Sequence, residues 1–372
     1  MNDATRTPPI GDALFDSGGG AGRRSAHVAI DSAAIAENWR WFAQRAGNCE
    51  CAAVIKADAY GVGAAVAARA LVGAGARTFF TATFAEALSL RRTLGAAGRI
   101  FVLNGPEPET VARFEDIGAM PVLNSLAQIA LWAGRGACAV HIDTGMNRLG
   151  LSPHEAGAAA ERLAGAEVAL VMSHLACAST PAHPMNAVQR ARFMEAASVF
   201  PPAPRSLAAS AGAQIGADFL FDMVRPGIGL YGAAGLDGDN PRLATVARVT
   251  APILQVRDVA PGATFGYGAT DAAAAPMRTA VAAIGYADGY PRAASSKGFA
   301  FHHGRRLPLL GRVSMDLLIF DASAAPEIRS GDTVELLGDE AHIDDVAAAA
   351  GTAPYEILTT LVGTVRRAQE AA

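Results

Sequence analysis

Two lysines are the first candidates for chemistry in this sequence. Only two of its 31 basic residues are lysines, Lys56 and Lys297. Arginine cannot replace lysine where a neutral amine must form a Schiff base, so lysines retained in such a chain suggest a chemical role. Lys56 follows the apolar run AAVI, whereas Lys297 lies in PRAASSKGF, which is typical of a surface loop. Lys56 is therefore the candidate for covalent or proton-transfer chemistry, and Lys297 is interpreted as a solvated side chain.

A lysine that ends a buried strand is expected to be partly desolvated. Burial disfavours the ammonium form and lowers the lysine pKa, which makes the amine available as a nucleophile or proton acceptor. The alternative is a lysine at a strand end whose ammonium group reaches solvent. Composition alone leaves both interpretations of Lys56 open.

Other polar residues follow later apolar runs. His174 ends VALVMSH, Ser210 ends RSLAAS, and the group Arg225, Gly227 and Ile228 lies in MVRPGIGLY. The last two segments would supply a hydroxyl and backbone N–H groups, which are the usual components of a phosphate cup in a barrel. A lysine that faces a phosphate cup suits a phosphorylated aldehyde cofactor, pyridoxal phosphate.

Eight short apolar runs alternate with helical stretches from about residue 52 to residue 232. Continuous apolar strands joined by helices indicate a parallel sheet, and eight such units are typical of an α/β fold with a (β/α)8 TIM-like barrel. A doubly wound open sheet is the alternative, but its first strand normally leads into a glycine-rich phosphate turn, unlike VIKADAYGVG. The predicted strands are 52–57, 78–83, 99–104, 120–124, 138–143, 168–174, 205–210 and 223–231, and two of the predicted helices are 86–94 and 187–200.

The pattern changes after about residue 232, where short alternating runs are separated by Gly and Pro. Such alternation predicts a smaller C-terminal domain that is mostly β and ends in a helix, a turn and another helix. The chain therefore divides into a disordered leader at 1–25, a barrel at 26–240 and a β domain at 241–372. The strand predicted at the start of the barrel segment is expected to pair with the second domain.

Composition disfavours several classes of protein. The formal net charge of −4 offers no basic face for nucleic acid. No apolar run approaches the roughly 20 residues that span a bilayer, and the first residues lack the pattern of a secretory signal, so we expect a cytoplasmic protein. The cysteines lack zinc-ligand spacing, and we expect reduced thiols and no metal. These cysteines are Cys49, Cys51, Cys138 and Cys177.

Seven motifs, in order along the chain, resemble those of the alanine racemases, a family of fold-type III pyridoxal-phosphate enzymes. The resemblance implies an enzyme that interconverts L- and D-alanine with pyridoxal 5′-phosphate and supplies D-alanine for peptidoglycan. It also implies a homodimer with shared active sites. The motifs are VIKADAYGVG (54–63), HIDTGMNRLG (141–150), SHLACAS (173–179), MVRPGIGLYG (223–232), GYADGYPR (285–292), GRVSMD (311–316) and PYEIL (354–358).

The resemblance further implies roles for individual residues. Lys56 would bind the cofactor and act as one acid/base, and Tyr286 of the partner subunit would act on the opposite face. Arg225 would contact the pyridine nitrogen and limit its protonation, and His174 would link Tyr286 to Arg225. The phosphate would be held by Tyr60, Ser210, Gly227, Ile228 and Tyr355. The substrate carboxylate would be held by Arg148 and the backbone of Met315, while Arg312 and Asp316 would lie near the channel into the site or be ordinary surface charges.

Two positions depart from the family pattern. Many family members carry a carbamylated lysine in the fifth strand that helps to orient the carboxylate-binding arginine, and His141 stands there in this chain. A histidine cannot form that carbamate, so Arg148 must be positioned in another way, of which a bound anion is one. Ala209 precedes Ser210 where the family often has asparagine.

Three other functions remain as alternatives. A broad-specificity amino-acid racemase would share the fold and the motifs, although such racemases tend to be exported. A basic-amino-acid decarboxylase would lack Tyr286 and would pair a glutamate, rather than Arg225, with the pyridine nitrogen. A non-enzymatic cofactor-binding protein of the single-barrel type would lack the second domain.

Overall fold

The structure is a computed structural model, and it describes residues 25–238 and 241–371. The predicted leader at 1–25 lies outside the described residues except for its last residue. Two sheets of seven strands dominate the rest of the chain, one parallel and one antiparallel.

The parallel sheet closes into a barrel, which confirms the predicted (β/α)8 class. Seven strands pair in sequence order, and the eighth, Met223–Val224, pairs in parallel with Glu50–Cys51 beside the first. Val54 donates its N–H to Pro226 O at 2.9 Å, and Ala209 forms a bridge to Arg225, which completes the ring. The barrel strands are Glu50–Cys51 with Ala53–Val54, Thr78–Thr81, Arg99–Val102, Ala119–Leu123, Cys138–His141, Val168–Met172, Arg205–Ser206 and Met223–Val224.

Helices surround the barrel, and local sequence explains where they begin. The predicted helix 86–94 starts earlier because Thr83 and Glu86 form a capping box, and the predicted helix 187–200 starts at Pro184. Asp31 caps the first helix by accepting from two backbone N–H groups. The helices of this domain are Ser32–Ala46, Ala64–Ala74, Phe84–Leu94, Leu126–Trp132, Ala156–Arg162 and Pro184–Ala197.

All eight predicted barrel strands end earlier in the structure than predicted, and two of these differences shape the site. The predicted strand 223–231 ends at Val224 and is followed by the short helical segment Ile228–Tyr231. Pro226 has no N–H to donate to a sheet, which ends the pairing there. The predicted strand 52–57 ends at Val54, and a tight turn begins at Lys56.

The turn after the first strand is left-handed. Ala57, Asp58, Ala59 and Tyr60 all have φ between 51° and 57°. Such a conformation costs roughly 1–2 kcal/mol for each residue that is not glycine, so surrounding contacts must hold it. Glu86 accepts from the N–H of Ala57 at 2.9 Å, and the Asp58 carboxylate accepts from the N–H of Ala64 at 2.7 Å.

The second domain is built on a closed ring of six antiparallel strands. The long strand Ala247–Val259 pairs on one side with Met277–Ala282 and on the other with Thr333–Leu337. His27–Ile30, from before the barrel, adds a seventh strand by pairing with residues 247–250. The remaining ring strands are Phe299–His302, Arg305–Leu310 and Leu318–Asp321, and Thr264–Phe265 and Asp271–Ala272 form a separate hairpin.

The C-terminal helices pack against the lysine turn of the barrel. Arg366 donates through Nε to Gly61 O at 2.8 Å and also binds the carboxylate of Asp58. Gly61 has φ +88°, and a Cβ there would lie 2.6 Å from the carbonyl oxygen of Leu358. The second domain therefore braces the segment that carries Lys56. Its helices are Ile343–Ala350, Pro354–Ile357, the π-helical Leu358–Val362 and Gly363–Ala371.

Candidate active site

A cavity of about 510 Å³ opens at the C-terminal ends of the barrel strands. This is the end at which barrel enzymes place their active sites. Nine of the predicted site residues line it, together with the two positions that depart from the family pattern, His141 and Ala209. The nine are Lys56, Tyr60, Arg148, His174, Ser210, Arg225, Gly227, Ile228 and Tyr355.

Lys56 lies half-buried at the end of the first barrel strand. Burial is the main cause that lowers its pKa, and the positive charge of Arg148 lowers it further. The carboxylate of Glu86 opposes both effects. The net result is a lysine that releases its proton more readily than a solvated lysine, as required of a Schiff-base amine or proton acceptor.

Ser210 organises a cup in the same cavity, at the ends of the seventh and eighth strands. Its Oγ accepts hydrogen bonds from the backbone N–H groups of Gly227 at 2.9 Å and Gly229 at 3.0 Å. The phenol of Tyr60 packs directly over Gly227, where a Cβ would lie 2.3 Å from the hydroxyl oxygen. Glycine is therefore required at position 227 for the tyrosine to reach the cup.

Three tyrosine rings pack against one another at tilted angles beside this cup. The Tyr60 ring lies 5.0 Å from that of Tyr231 and 5.9 Å from that of Tyr355, between ring centroids. Burial raises the pKa of both Tyr60 and Tyr355, so each keeps its O–H at neutral pH. Two neutral hydroxyl donors in the cavity that Arg148 also lines form an environment that suits the oxygens of a phosphate.

Arg225 is a buried cation held by serine oxygens. One terminal nitrogen donates to Ser206 Oγ, and the other donates to the backbone carbonyl of Ser173 at 2.6 Å. Burial lowers the pKa of Arg225 to about 9, which still leaves it mostly protonated at neutral pH. The guanidinium is thus fixed in place and charged at the base of the cavity.

His174 is a neutral histidine in a network that spans two strand ends. Gln189 donates to the His174 carbonyl at 3.0 Å and to Thr144 Oγ1 at 3.2 Å, and Thr144 in turn contacts Ser173 Oγ at 2.9 Å. Burial lowers the pKa of His174 well below its ordinary value, and the nearby Arg225 lowers it further. The imidazole therefore remains uncharged and can donate and accept one hydrogen bond each.

Arg148 lies on a loop that folds back onto the fifth strand. The carboxylate of Asp143 accepts from the N–H groups of Gly145 and Met146, both at 2.8 Å, which tightens the start of the loop. Leu151 then donates its N–H to His141 O at 2.8 Å and closes the loop. The motif HIDTGMNRLG therefore forms one closed unit that presents Arg148 to the cavity.

Four other residues named from the sequence do not line this cavity. Tyr286 and Met315 lie on the second domain with 42% and 53% of their surface exposed. They are neighbours, because the N–H of Tyr286 donates to Ser314 O at 3.1 Å and the N–H of Ala287 donates to Met315 O at 3.0 Å. Arg312 and Asp316 belong to the same segment of the second domain.

Sequence reasoning missed two asparagines at this end of the barrel. Asn104 lines the cavity, and Asn124 contacts His141, with 2.8 Å between Oδ1 and Nδ1. Each is the last residue of a predicted barrel strand, 99–104 or 120–124, so the same rule that singled out His174 and Ser210 applied to them. No charge or motif drew attention to either amide.

Two further observations concern the metal ligands and the membrane spans that the sequence analysis considered. Within 25–238 and 241–371, no group of three or more His, Cys, Asp or Glu side chains is arranged to hold a metal ion. Among the same residues, no helix combines the length and apolarity needed to cross a membrane.

A closed parallel barrel, a β domain that braces its lysine turn and a cationic cavity at the strand ends define a two-domain barrel enzyme. A family model described as the alanine racemase N-terminal domain matches residues 30–235, and one described as the C-terminal domain matches residues 246–369. The chain therefore belongs to the alanine racemase family.

Individual relatives agree with this assignment. An alanine racemase of Rhizobium meliloti is 45% identical over 359 residues, which cover 91% of this chain and 94% of the relative. A catabolic alanine racemase of Agrobacterium fabrum is also 45% identical, over 93% of this chain and 92% of its own. A crystal structure of alanine racemase from Bartonella henselae with covalently bound pyridoxal phosphate superposes with a TM-score of 0.85 at 37% identity, covering 91% of this chain and 97% of that one.

Proposed function

We propose that this chain interconverts L- and D-alanine with pyridoxal 5′-phosphate, and that Lys56 and Tyr286 act as the two acid/base groups. The observation that carries the proposal is the single cavity that Lys56, with its lowered pKa, lines together with the cup of Ser210 and Gly227. Family membership supports alanine as the substrate.

The residues of the cavity fit this cofactor. Lys56 supplies an amine for its aldehyde, and the cup around Ser210 with the hydroxyls of Tyr60 and Tyr355 supplies donors for its phosphate. A volume of about 510 Å³ lies in the range of small-molecule sites. When bound, the cofactor withdraws electrons from the substrate Cα and so makes the Cα proton acidic.

Lys56 would hold the cofactor through Nζ. With substrate bound, its amine would exchange the Cα proton on one face of the substrate. Its lowered pKa increases the fraction that is neutral near pH 7, which is the form that accepts a proton.

Tyr286 exchanges the proton on the opposite face and comes from a second copy of the chain. Racemisation needs two groups on opposite faces, because the proton leaves from one side and a proton returns to the other. The exposed position of Tyr286 beside Met315, outside the chain's own cavity, supports a homodimer with shared sites. In that assembly His174 contacts the Tyr286 phenol and adjusts its acidity.

Arg225 would lie beside the pyridine nitrogen of the cofactor and disfavour its protonation. A fixed guanidinium disfavours a second positive charge beside it, and its two serine partners prevent it from turning away. An unprotonated ring nitrogen withdraws electron density from the substrate Cα less strongly than a protonated one. The weaker withdrawal limits side reactions such as transamination. Arg148 and the backbone of Met315 bind the substrate carboxylate.

The product D-alanine serves peptidoglycan synthesis, and the enzyme acts in the cytoplasm. A broad-specificity racemase of the same fold is the alternative. Chiral chromatography after incubation with L-alanine, L-serine, L-lysine and L-arginine distinguishes the two, because a dedicated enzyme converts alanine well above the others. Comparable turnover of the larger side chains would assign the broad class.

The two-base assignment is tested with Tyr286→Phe. We expect this variant to bind cofactor normally and to lose at least about 100-fold in racemisation, because the second face has no proton donor. Cα exchange with D₂O should survive for one enantiomer and be lost for the other. Tyr267→Phe, on a tyrosine of the same domain with 70% exposure, is the control. Equal racemisation by Tyr286→Phe and the parent would exclude Tyr286 as the second base.

A further inference from the structure

His141 is a buried titratable group in the cavity that the mechanism above does not use. It ends the fifth barrel strand and lines the cavity together with Arg148. Burial, with help from Arg225 and Arg148, lowers its pKa to about 4, so it is uncharged at neutral pH. A neutral imidazole has one N–H donor and one lone-pair acceptor, and their positions decide what it can bind.

Asn124 determines which ring nitrogen carries the proton. The Asn124 Nδ2 group donates to two backbone carbonyls, Leu103 O and Val122 O, both at 2.9 Å. These two bonds define the orientation of the amide and leave Oδ1 as the atom that faces His141 Nδ1 at 2.8 Å. Because Oδ1 can only accept, Nδ1 must carry the proton, and Nε2 keeps the lone pair.

The Asn124 side chain is itself held firmly. Gln128 accepts from the Asn124 backbone N–H at 2.8 Å and donates to Asn104 O at 2.8 Å. This network ties the ends of the third and fourth barrel strands to the imidazole of the fifth. The orientation of His141 is therefore set before any ligand binds.

The cavity then contains an acceptor and a donor that complement each other. Among the residues that the structure describes, His141 Nε2 has no hydrogen-bond partner, and neither does the guanidinium of Arg148. Both groups belong to one closed loop, since Leu151 returns to donate to His141 O at 2.8 Å. Arg225, the other arginine of the cavity, already uses both terminal nitrogens on serine residues.

We propose that His141, held as its Nδ1–H tautomer by Asn124, is a positioning residue whose unpartnered Nε2 accepts from Arg148 when substrate is bound and so orients that guanidinium toward the substrate carboxylate. The proposal rests on the proposed function for the identity of the carboxylate. It replaces a charged partner for Arg148 with a neutral one, so no bound anion is needed at this position.

The test compares two substitutions of His141 in the cofactor-loaded enzyme. Glutamine preserves a donor toward Asn124 and an acceptor toward Arg148, because its Nε2–H can donate to Asn124 and its Oε1 can accept from Arg148. Leucine has similar bulk and removes both. We expect His141→Leu to weaken equilibrium binding of propionate, followed by the cofactor absorption spectrum, by on the order of tenfold, and His141→Gln to restore most of it.

Kinetics and a double-mutant cycle separate positioning from a merely structural role. His141→Leu should raise KM for both alanine enantiomers more than it lowers kcat, since both share the carboxylate contact. Arg148→Lys should weaken propionate binding less in the His141→Leu background than in the parent, because the two residues act together. Additive effects, or unchanged propionate binding in His141→Leu, would overturn the proposal.

Two further outcomes are decisive. Propionate binding by the parent should not depend on added chloride, and a requirement for chloride would overturn the proposal in favour of a bound anion. A parent enzyme that binds propionate but does not racemise alanine would contradict the proposed function and leave the role of His141 supported by the propionate series. Normal racemisation by the parent, together with unchanged propionate binding in His141→Leu, would contradict the role of His141 but not the proposed function.

Discussion

Removal of the Ser210 hydroxyl tests the phosphate cup most directly. Oγ of this buried side chain is the acceptor for two backbone donors, the N–H groups of Gly227 at 2.9 Å and Gly229 at 3.0 Å. Ser210→Ala leaves both donors without that acceptor. A buried donor without a partner costs about 1–3 kcal/mol, so we expect the variant to lose roughly 2–4 kcal/mol in all.

The loss should appear in two measurements. The free energy of unfolding of the apoprotein, measured in urea at one protein concentration, should fall by roughly 2–4 kcal/mol. The Kd for pyridoxal phosphate should rise by at least about 30-fold, because the cup that receives the phosphate is no longer held in shape.

A matched control removes a hydroxyl elsewhere. Ser198 is exposed, and its Oγ donates to Glu195 O at 2.6 Å at the end of a helix. Ser198→Ala should change stability by no more than about 0.5 kcal/mol and leave cofactor binding unaltered. If Ser210→Ala were as stable as this control and bound cofactor equally well, the cup would not depend on Ser210.

Two other predictions concern the segment around Lys56. Gly61→Ala should destabilise the protein by at least about 2 kcal/mol and weaken cofactor binding, because its Cβ would meet Leu358 O at 2.6 Å with φ at +88°. Gly73→Ala, in open space on the helix Ala64–Ala74, should instead stabilise it by about 0.5–1 kcal/mol; equal effects in urea denaturation would contradict the bracing contact. Reconstitution of the apoenzyme with pyridoxal phosphate should speed up with pH and level off below the usual lysine pKa of 10.5, because burial and Arg148 lower the pKa of Lys56 and only the neutral amine reacts. A rate that still climbed through pH 10.5, as for a solvated lysine derivative, would show that the pKa is not lowered.

Local patterns in the sequence were sufficient to predict the barrel and six of the residues that line the cavity. An apolar run indicates a buried strand, and a polar residue at its end indicates where the strand stops. Lys56, His174 and Ser210 were identified in this way from the sequence. Because parallel strands in a barrel share one C-terminal end, their convergence also followed. The cavity is also lined by three residues that only the family resemblance had implied, Tyr60, Arg148 and Tyr355.

Local patterns were less informative where the backbone leaves regular structure. The run MVRPGIGLY looks like a strand, yet it leaves the sheet at Pro226 and turns into a short helical segment. The left-handed turn from Ala57 to Tyr60 has no signal of its own, because none of its residues is glycine. It is held by Glu86 and Arg366, which are distant in sequence.

The sequence by itself therefore determined the class of fold, the end of the barrel that carries the site and the types of side chain placed there. Tertiary structure alone decided how those side chains are oriented and charged. The tautomer of His141 depends on Asn124 from another strand, and the lowered pKa of Lys56 depends on burial and on Arg148 from a distant loop. Such contacts join residues that are far apart in the chain, and the free energies of burial and hydrogen bonding that they provide exist only once the barrel has closed.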